Sequence, residues 1–318
     1  MTAGAPGIVT LGETMALLWP PEVGPLRHAP SLRLGVAGAE SNLAVGAVRL
    51  GVPATWLGRV GDDEFGRLVA TTLRGQGVTT TAVVDPGAPT GLMVKERRTA
   101  RATRVLYYRS GSAGSRLGPG DLDPAVIAGA RVLHVTGITP ALSASARAAV
   151  FAAVEEAVAA GVPVSLDLNY RSALWSAGEA GPVLRELVRR ADVVLATEEE
   201  ARLVVDAPDD RALVAALAAL GPRHVLLKQG AAGSLSGIED RLYRVPARTV
   251  PVVDPVGAGD AFGAGYLSGL CRGLDAEERL GLATTAGAFA VSVPGDWEGL
   301  PSLADLALLD QDPDAVAR

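Results

Sequence analysis

Cysteine is nearly absent from this sequence, since Cys271 is the only one in the chain. A single cysteine excludes an internal disulfide and a metal site built from cysteines, and it fits a reducing compartment. No apolar run is long enough for a transmembrane helix, and the first ten residues lack the basic start and long apolar segment of a signal peptide. We therefore expect a cytoplasmic protein.

Positive charge is also scarce, with 29 basic against 35 acidic residues, a net charge of −6, and no basic run. This balance argues against nucleic acid as the main partner, but it leaves a small anionic substrate open. His28, His134 and His224 are scattered, and none has the spacing of a Ser-His-Asp or Cys-His site. We therefore interpret the histidines as structural.

Two common nucleotide-binding motifs are missing. A Rossmann oxidoreductase needs G-x-G-x-x-G after its first strand, whereas residues 12–14 read Gly-Glu-Thr after the apolar run 8–11. The glycine-rich run 228–233 lacks the GK[ST] of a P-loop. Its glycines fit close approach of the backbone to a nucleotide, although a hairpin turn before residues 234–238 is an equally simple interpretation.

From about residue 130 onward, short β-branched runs alternate with longer helical patterns. Gly161 predicts the end of the first of these helices, because glycine is common just past a helix C-terminus. The alternation is typical of a parallel sheet with helices on both faces, in which ligands bind at the carboxyl ends of the strands. The predicted strands are 131–135, 162–168, 192–196 and 224–227, and the predicted helices are 143–160, 183–190 and 198–205.

The N-terminal third follows a different pattern, with a first core strand predicted at 8–11 and helices at 40–50 and 64–76. Four further pieces resemble half-exposed strands, namely 14–19, 32–36, 91–97 and 103–109. We expect them to form a small sheet, inserted at about 13–36 and 90–110, that stands off the main domain as a lid and excludes water. The alternative is an ordinary extension of the main sheet.

The segment 252–265 carries the chemistry. A β-branched run ends in an Asp-Pro turn, small residues follow, and a helix is predicted to begin near Asp260. Small residues let the backbone N–H groups of Gly257, Ala258 and Gly259 converge, and the helix dipole behind them favours an anion there. A carboxylate beside such an anion hole can accept a hydroxyl proton during phosphoryl transfer, so we interpret Asp260 as a catalytic base. The alternative is that Asp260 only caps the helix.

The run DPVGAGDAF at residues 254–262 resembles the signature of the ribokinase-like sugar kinases, the PfkB family. A second match lies near the start, in AGAESN at 37–42 and GRVGDDEFG at 58–66. Two motifs far apart and in the expected order make the resemblance specific, and it covers the chain from Val9 to about Pro301. It implies a single ribokinase-like α/β domain over residues 1–318. The implied architecture is a three-layer sandwich with a mostly parallel central sheet and a small β-sheet lid.

Within the family, several stretches resemble the 2-keto-3-deoxygluconate kinases, namely 37–42, 107–113, 137–142, 167–171 and 295–299. This resemblance implies ATP-dependent phosphorylation of that sugar acid at its 6-hydroxyl. Carried over position by position, the substrate would contact Gly38, Asn42, Tyr107, Tyr108, Arg109, Arg171, Asp260 and Asp296. The ATP would contact Asn169, Tyr170, Arg171, Lys228, Gln229, Gly230, Ala231, Ala232, Gly233, Gly257, Ala258, Gly259 and Asp260.

The cofactors that the resemblance implies are ATP and Mg²⁺, and it leaves a monovalent cation open. Many relatives position Mg²⁺ through water with an Asn-x-x-Glu motif, which Glu200 matches here while Thr197 replaces the Asn. Family members often bind a monovalent cation near the residue that corresponds to Asp254, which here precedes a proline where many relatives have a threonine. Met93 stands where a substrate-facing tyrosine is expected on the lid.

Other interpretations stay open. The substrate could be fructose, ribose or a deoxy-ketogluconate isomer, although Arg109 and Arg171 favour an acid because a guanidinium can hold a carboxylate with two hydrogen bonds. A non-catalytic sugar-binding relative should have lost Asp260 or the neighbouring glycines. The expected partners are ATP and a small sugar acid, without nucleic acid or membrane. A second copy of the chain is also expected to cover the exposed lid strands.

Overall fold

The computed structural model describes residues 7–99 and 102–310. Within this part of the chain the strands are β1 Ile8–Leu11, β2 Met15–Trp19, β3 Arg33–Ala37, β4 Ala54–Gly61, β5 Thr79–Asp85, β6 Leu92–Thr99, β7 Ala102–Tyr108, β8 Val132–Thr136, β9 Val164–Asp167, β10 Val193–Thr197, β11 His224–Lys228, β12 Ser234–Ile238 and β13 Arg241–Val245. The α-helices are α1 Ala39–Arg49, α2 Glu64–Gly75, α3 Pro124–Ala128, α4 Thr139–Leu142, α5 Ala144–Ala159, α6 Ala177–Val188, α7 Glu198–Val204, α8 Asp210–Ala218, α9 Ala258–Cys271 and α10 Ala276–Val291.

Nine strands form the large sheet, in the order β13-β12-β11-β10-β9-β8-β1-β4-β5. From β11 to β5 every neighbouring pair is parallel, and antiparallel pairing is confined to β12 and β13 at one edge. The registers bring the strand ends level, because Thr136 pairs with Asp167 and Thr197 pairs with Lys228. The predicted mostly parallel sheet is therefore confirmed, and its carboxyl ends meet along one edge.

Alternate side chains of the central strands enter two separate apolar cores. Val194 of β10 packs in one core with Leu184 of α6. Leu195, the next residue, packs in the other core with Leu43 of α1 and Leu267 of α9. Since successive residues of a strand point to opposite faces, helices must cover both faces of the sheet. The predicted three-layer α/β sandwich is confirmed.

The second sheet has the strand order β3-β2-β6-β7 and shares no strand pair with the large sheet in the described part of the chain. Its outer pairs are antiparallel and its central pair, β2 with β6, is parallel. The four half-exposed pieces thus form their own small sheet rather than an extension of the main one. Residues 100 and 101 of the predicted insertion, and 1–6 and 311–318 of the predicted domain, lie outside the described residues.

Several elements differ from the sequence prediction. Helix α6 begins at Ala177 instead of 183, because Ser176 and Glu179 form a reciprocal capping box ahead of Pro182, which lies inside the helix. Strands β4 and β5 and helices α8 and α10 were not predicted. In β4 the glycines weaken the strand pattern, yet Gly58 has no room for a side chain beside the ring of Trp56. No helix in the described ranges has the length and apolarity needed to cross a membrane.

Candidate active site

A cavity of about 1010 Å³ lies between the small sheet and the carboxyl ends of the parallel strands. Asp167, Thr197 and Lys228 line it from the ends of β9, β10 and β11, whereas Met93 and Tyr107 line it from the small sheet. Ligands of open α/β sheets bind at this edge, because the loops there converge around a crevice. The cavity therefore stands where the sequence predicts a site.

Helix α9 begins at the end of this cavity, two residues earlier than predicted. Its N-cap is Gly257, whose φ of +80° lies in the left-handed region that favours glycine, and a side chain there would collide with the backbone oxygen of Asp296. No side chain caps this end of the helix. Within the described residues, the N–H groups of Gly257, Ala258 and Gly259 donate no hydrogen bond. These free donors line the cavity together with Asp260.

Asp260 is held by one neighbour from α1. The side-chain amide of Asn42 donates to its Oδ2 at 2.8 Å. Burial raises the pKa of Asp260 from 3.8 to about 7, and the carboxylates of Asp167 and Asp296 act in the same direction. The Asn42 hydrogen bond and the positive charge of Arg171 lower this pKa, but they do not compensate for burial. A carboxyl group with a pKa near 7 is suited to exchanging protons at neutral pH.

An ion pair joins two neighbouring strand ends of the cavity. The ammonium of Lys228 donates to both oxygens of Asp167, at 2.8 and 2.6 Å. Burial lowers the pKa of Lys228, but the carboxylates of Asp167, Glu200 and Asp260 together outweigh this effect and the net pKa is raised, so the ammonium stays charged. Asn169, two residues beyond Asp167, adopts the left-handed φ of +35°, which asparagine tolerates better than most residues. Its N–H donates to Asp167 Oδ1 at 3.1 Å.

Arg109 reaches the cavity from the small sheet, but its charge is already paired. Its Nε donates to Glu13 Oε2 at 2.7 Å, and its Nη2 lies 2.5 Å from the same oxygen. Glu13 is buried just after β1 and also accepts a short hydrogen bond from Ser112. Arg171 differs, because its exposed side chain forms no ion pair with any described residue. Of the two arginines predicted for a carboxylate, Arg171 therefore has the available charge.

Glu200 lines the cavity from the first turn of α7. Its Oε1 accepts from the backbone N–H of Tyr170 at 3.1 Å, and its Oε2 accepts from the N–H of Thr197 at 2.8 Å. Thr197 in turn accepts from the N–H of Glu200, so the two residues form a capping box. The Thr197 that replaces the family asparagine thus keeps a local structural role.

Most of the predicted site residues line this one cavity, namely Gly38, Asn42, Tyr107, Arg109, Asn169, Tyr170, Arg171, Glu200, Lys228, Gly230, Ala231, Gly233, Gly257, Ala258, Gly259, Asp260 and Asp296. Three predicted residues do not line it. Tyr108 is 63% exposed on the other face of its strand, because side chains alternate along β7. Gln229 turns outward and donates to Asp210 at 2.5 Å, and Ala232 lies exposed in the same loop.

The sequence analysis missed five charged residues of the cavity, namely Glu13, Glu40, Lys95, Asp167 and Arg248. Glu13, Lys95 and Asp167 are buried, and each forms an ion pair with a residue distant in the sequence. Asp167 and Glu13 stand at or just beyond the ends of core strands, which is a signal that sequence reasoning could have used. Lys95 stands inside a predicted strand and gave no such signal.

Comparison with known proteins agrees with this geometry. The family model for pfkB family carbohydrate kinases matches residues 5–303. A 2-dehydro-3-deoxygluconokinase of Thermoproteus tenax is 38% identical over 93% of this chain and 91% of its own length. A 2-dehydro-3-deoxygalactonokinase of Haloferax volcanii is 36% identical over 91% of this chain and 92% of its own length.

The fold is also that of solved structures. A putative ribokinase II of E. coli, determined in complex with ATP and Mg²⁺, superposes with a TM-score of 0.90 at 25% identity, over 96% of this chain and 99% of the other. The match of the family model over nearly the whole chain agrees with the two sequence motifs and with the observed architecture. The chain therefore belongs to the pfkB family of carbohydrate kinases.

Proposed function

We propose that this chain transfers the terminal phosphoryl group of ATP to the 6-hydroxyl of 2-keto-3-deoxygluconate, also written 2-dehydro-3-deoxygluconate. The observation that carries the proposal is the position of Asp260, whose pKa is near 7 and which lies beside the free N–H groups at the start of α9. The names of the relatives from Thermoproteus and Haloferax support a 2-keto-3-deoxy sugar acid. The structure with ATP and Mg²⁺ supports the phosphoryl donor.

Asp260 is the proposed base. As the 6-hydroxyl oxygen attacks the γ-phosphorus, its proton passes to the Asp260 carboxylate, and the bond from phosphorus to the bridging oxygen of ADP breaks. The N–H groups of Gly257, Ala258 and Gly259 would stabilise negative charge on the transferred group. Asn42 holds the carboxylate through its amide, and its own oxygen Oδ1 is buried without a partner among the described residues. That oxygen is available to accept a hydrogen bond from the sugar.

The substrate carboxylate is proposed to bind Arg171, with a contribution from Arg109. Arg171 has no ion-pair partner among the described residues, and it is close enough to Asp260 to lower the pKa of that carboxyl group. Arg109 shares its charge with Glu13, so it offers hydrogen bonds with little net charge. Gly38 and Tyr107 would contact the rest of the sugar from α1 and the small sheet. In this proposal the insertions at about 13–36 and 90–110 act as the lid of one domain that spans the chain.

ATP is proposed to bind along the loop after β11, from Lys228 to Gly233, with its phosphates directed toward the start of α9. Asn169, Tyr170 and Arg171 would face those phosphates from the end of β9. Glu200 fits a Mg²⁺ held through water, because each of its carboxylate oxygens accepts one backbone N–H and keeps a second lone pair. Within residues 7–99 and 102–310 no group of three acidic, histidine or cysteine side chains is placed to hold a metal directly. Bound Mg²⁺ would supply neutralisation of phosphate charge.

The test is a coupled assay of ADP release over a set of acceptors, with the purified chain, ATP and Mg²⁺. We expect kcat/KM for 2-keto-3-deoxygluconate or its C4 epimer to exceed that for fructose and ribose by about a hundredfold, because neutral sugars leave Arg171 unpaired. Phosphorus NMR of the product should place the phosphate on O6. A preference for fructose or ribose would contradict the proposed substrate. If none of the acceptors led to release of ADP, the non-catalytic interpretation would be favoured.

We also propose that a second copy of the chain covers the outer face of the small sheet. Leu34, Leu18, Val94 and Leu106 are successive cross-strand neighbours on this face. Leu34 is 52% exposed, and Tyr108 on the same face is 63% exposed. Val94 is only 6% exposed, and Leu18 and Leu106 are half-buried, so the exposed apolar groups of this face are Leu34 and Tyr108 on the two outer strands. Exposed apolar side chains on edge strands offer a surface for a second copy of the chain.

Leu34→Glu should therefore convert a dimer into a monomer, because the contact would bury two carboxylates facing an apolar row. Sedimentation velocity measures the change directly. The matched control is Leu242→Glu, which alters an exposed leucine on the outer strand of the large sheet and should leave the dimer intact. A parent chain that sediments as a monomer at micromolar concentration, or a Leu34→Glu variant that stays dimeric, would contradict this arrangement.

A further inference from the structure

Lys95 is a buried cation that the proposed reaction does not use. It lies on β6 of the small sheet, is 3% exposed, and points into the cavity on the same face as Met93. Its ammonium lies 3.2 Å from Asp254 Oδ2, forms a shorter ion pair with Asp296, and lies 3.5 Å from the backbone oxygen of Gly295. One ammonium thus joins the small sheet to two acidic residues outside that sheet, one before α9 and one after α10.

The two carboxylates belong to segments that hold the start of α9. Asp254 begins the turn, and its Oδ1 accepts the backbone N–H of Val256 at 3.1 Å. Asp296 packs its backbone against Gly257, so closely that no side chain would fit between them. The ammonium of Lys95 therefore binds the two acidic residues, Asp254 and Asp296, that lie on either side of the turn with the free N–H groups. Without a cation there, two buried carboxylates would repel each other beside that turn.

A monovalent cation, which the family resemblance leaves open near Asp254, does not fit the residues present. The Asp254 carboxylate accepts the N–H of Val256 at Oδ1 and the ammonium of Lys95 at Oδ2, so its negative charge is already paired with a fixed cation. A second positive charge would also lie within a few ångströms of the ammonium and be repelled by it. Burial lowers the pKa of Lys95, but the carboxylates of Asp296 and Asp254 outweigh this effect and raise the net pKa, so the group stays charged.

We propose that Lys95 is a positioning residue that supplies, from the small sheet, the fixed positive charge at Asp254 and Asp296, so that this kinase works without a monovalent cation. The inference rests on the proposed function only in making the start of α9 the place where the phosphoryl group is transferred. Lys95 touches neither substrate in this arrangement. It acts through the turn, which it holds in the shape that the N–H groups require.

The first test needs no variant. The parent enzyme, dialysed into a tetramethylammonium buffer, should keep its rate within about twofold when K⁺ replaces that ion at constant ionic strength. Its thermal unfolding midpoint should be the same in both buffers. The midpoint requires no sugar, so it distinguishes a failure of this inference from a wrong substrate. A rise of about tenfold in rate on adding K⁺, or a clear rise of the parent midpoint, would overturn the inference.

The second test uses Lys95→Met, whose side chain is one atom shorter and carries no charge. In tetramethylammonium buffer this variant should lose about a hundredfold in kcat with little change in KM for ATP, since the turn loses its cation. Added K⁺ or NH₄⁺ should refill the space, recover about tenfold, and raise the unfolding midpoint by about 3 °C. Arg98→Met, on an exposed part of the same strand, is the control and should behave as the parent in both buffers. A folded Lys95→Met variant with the parent rate in tetramethylammonium would overturn the positioning role.

Discussion

Replacing Asp260 by Asn should lower turnover by about three orders of magnitude while the KM values for ATP and sugar stay within a fewfold. The amide cannot accept the hydroxyl proton, yet it has nearly the same shape as the carboxyl group and can still accept the hydrogen bond from Asn42. The free N–H groups at the start of α9 are untouched, so part of the acceleration should remain. Steady-state kinetics with the preferred acceptor measure the loss, and binding of both substrates by calorimetry shows that the site is intact.

A matched control separates catalysis from helix capping. Asp275 caps α10, accepts from the N–H of Glu278 and does not line the cavity, so Asp275→Asn should cost stability without changing kcat. If Asp260→Asn retained turnover within tenfold of the parent, the base assignment would be wrong.

The raised pKa of Asp260 gives the same variant a second readout. The base is active when ionised, so kcat/KM of the parent should fall about tenfold per pH unit below its pKa of about 7. The raised pKa also means that the folded state binds this proton more tightly than the unfolded chain does. Its contribution to stability is therefore present below pH 4 and is lost as the pH rises through 7. Asp260→Asn lacks this dependence, so its unfolding free energy should exceed that of the parent at pH 8, by at most about 4 kcal/mol.

The sequence patterns correctly predicted the parts of this structure that depend on local periodicity. The alternation after residue 130 predicted the parallel sheet, and the position of small residues before Asp260 predicted a helix start facing a crevice. The missed strand β4 shows the limit of that approach. Its glycines weaken the pattern, and only the packing of Gly58 against Trp56 explains why they are there.

The charged pairs of the cavity could not be predicted because they join distant residues. Arg109 was expected to be available to a ligand, but Glu13 lies 96 positions away in the sequence and neutralises it in the fold. Lys95 and Asp254 are 159 positions apart, and no spacing rule connects them. Tyr108 is a different case, since strand alternation alone separates its direction from that of Tyr107. The family resemblance predicted that both tyrosines contact the substrate. In the strand, however, only Tyr107 points into the cavity.

Arg171→Gln should lower kcat/KM for 2-keto-3-deoxygluconate by about a hundredfold but that for fructose by less than about threefold. The reason is that Arg171 has no carboxylate partner within the described residues, so its charge is available to an acid substrate and has little to gain from a neutral one. Arg109→Gln is the comparison, and it should lower both activities to a similar degree. Its loss leaves Glu13 buried without its partner, which disturbs the cavity whatever sugar is bound.

The ratio of the two losses carries the argument, because Arg171 is also expected to face the nucleotide phosphates. If Arg171 binds only phosphate, both sugars lose equally and KM for ATP rises in both assays. Equal losses of kcat/KM for the two sugars would therefore mean that Arg171 binds ATP, and they would remove the physical argument for an acid substrate. A selective loss with unchanged KM for ATP would instead identify the carboxylate of the sugar as its partner. An available guanidinium beside the base is what separates a kinase for a sugar acid from a kinase for a neutral sugar.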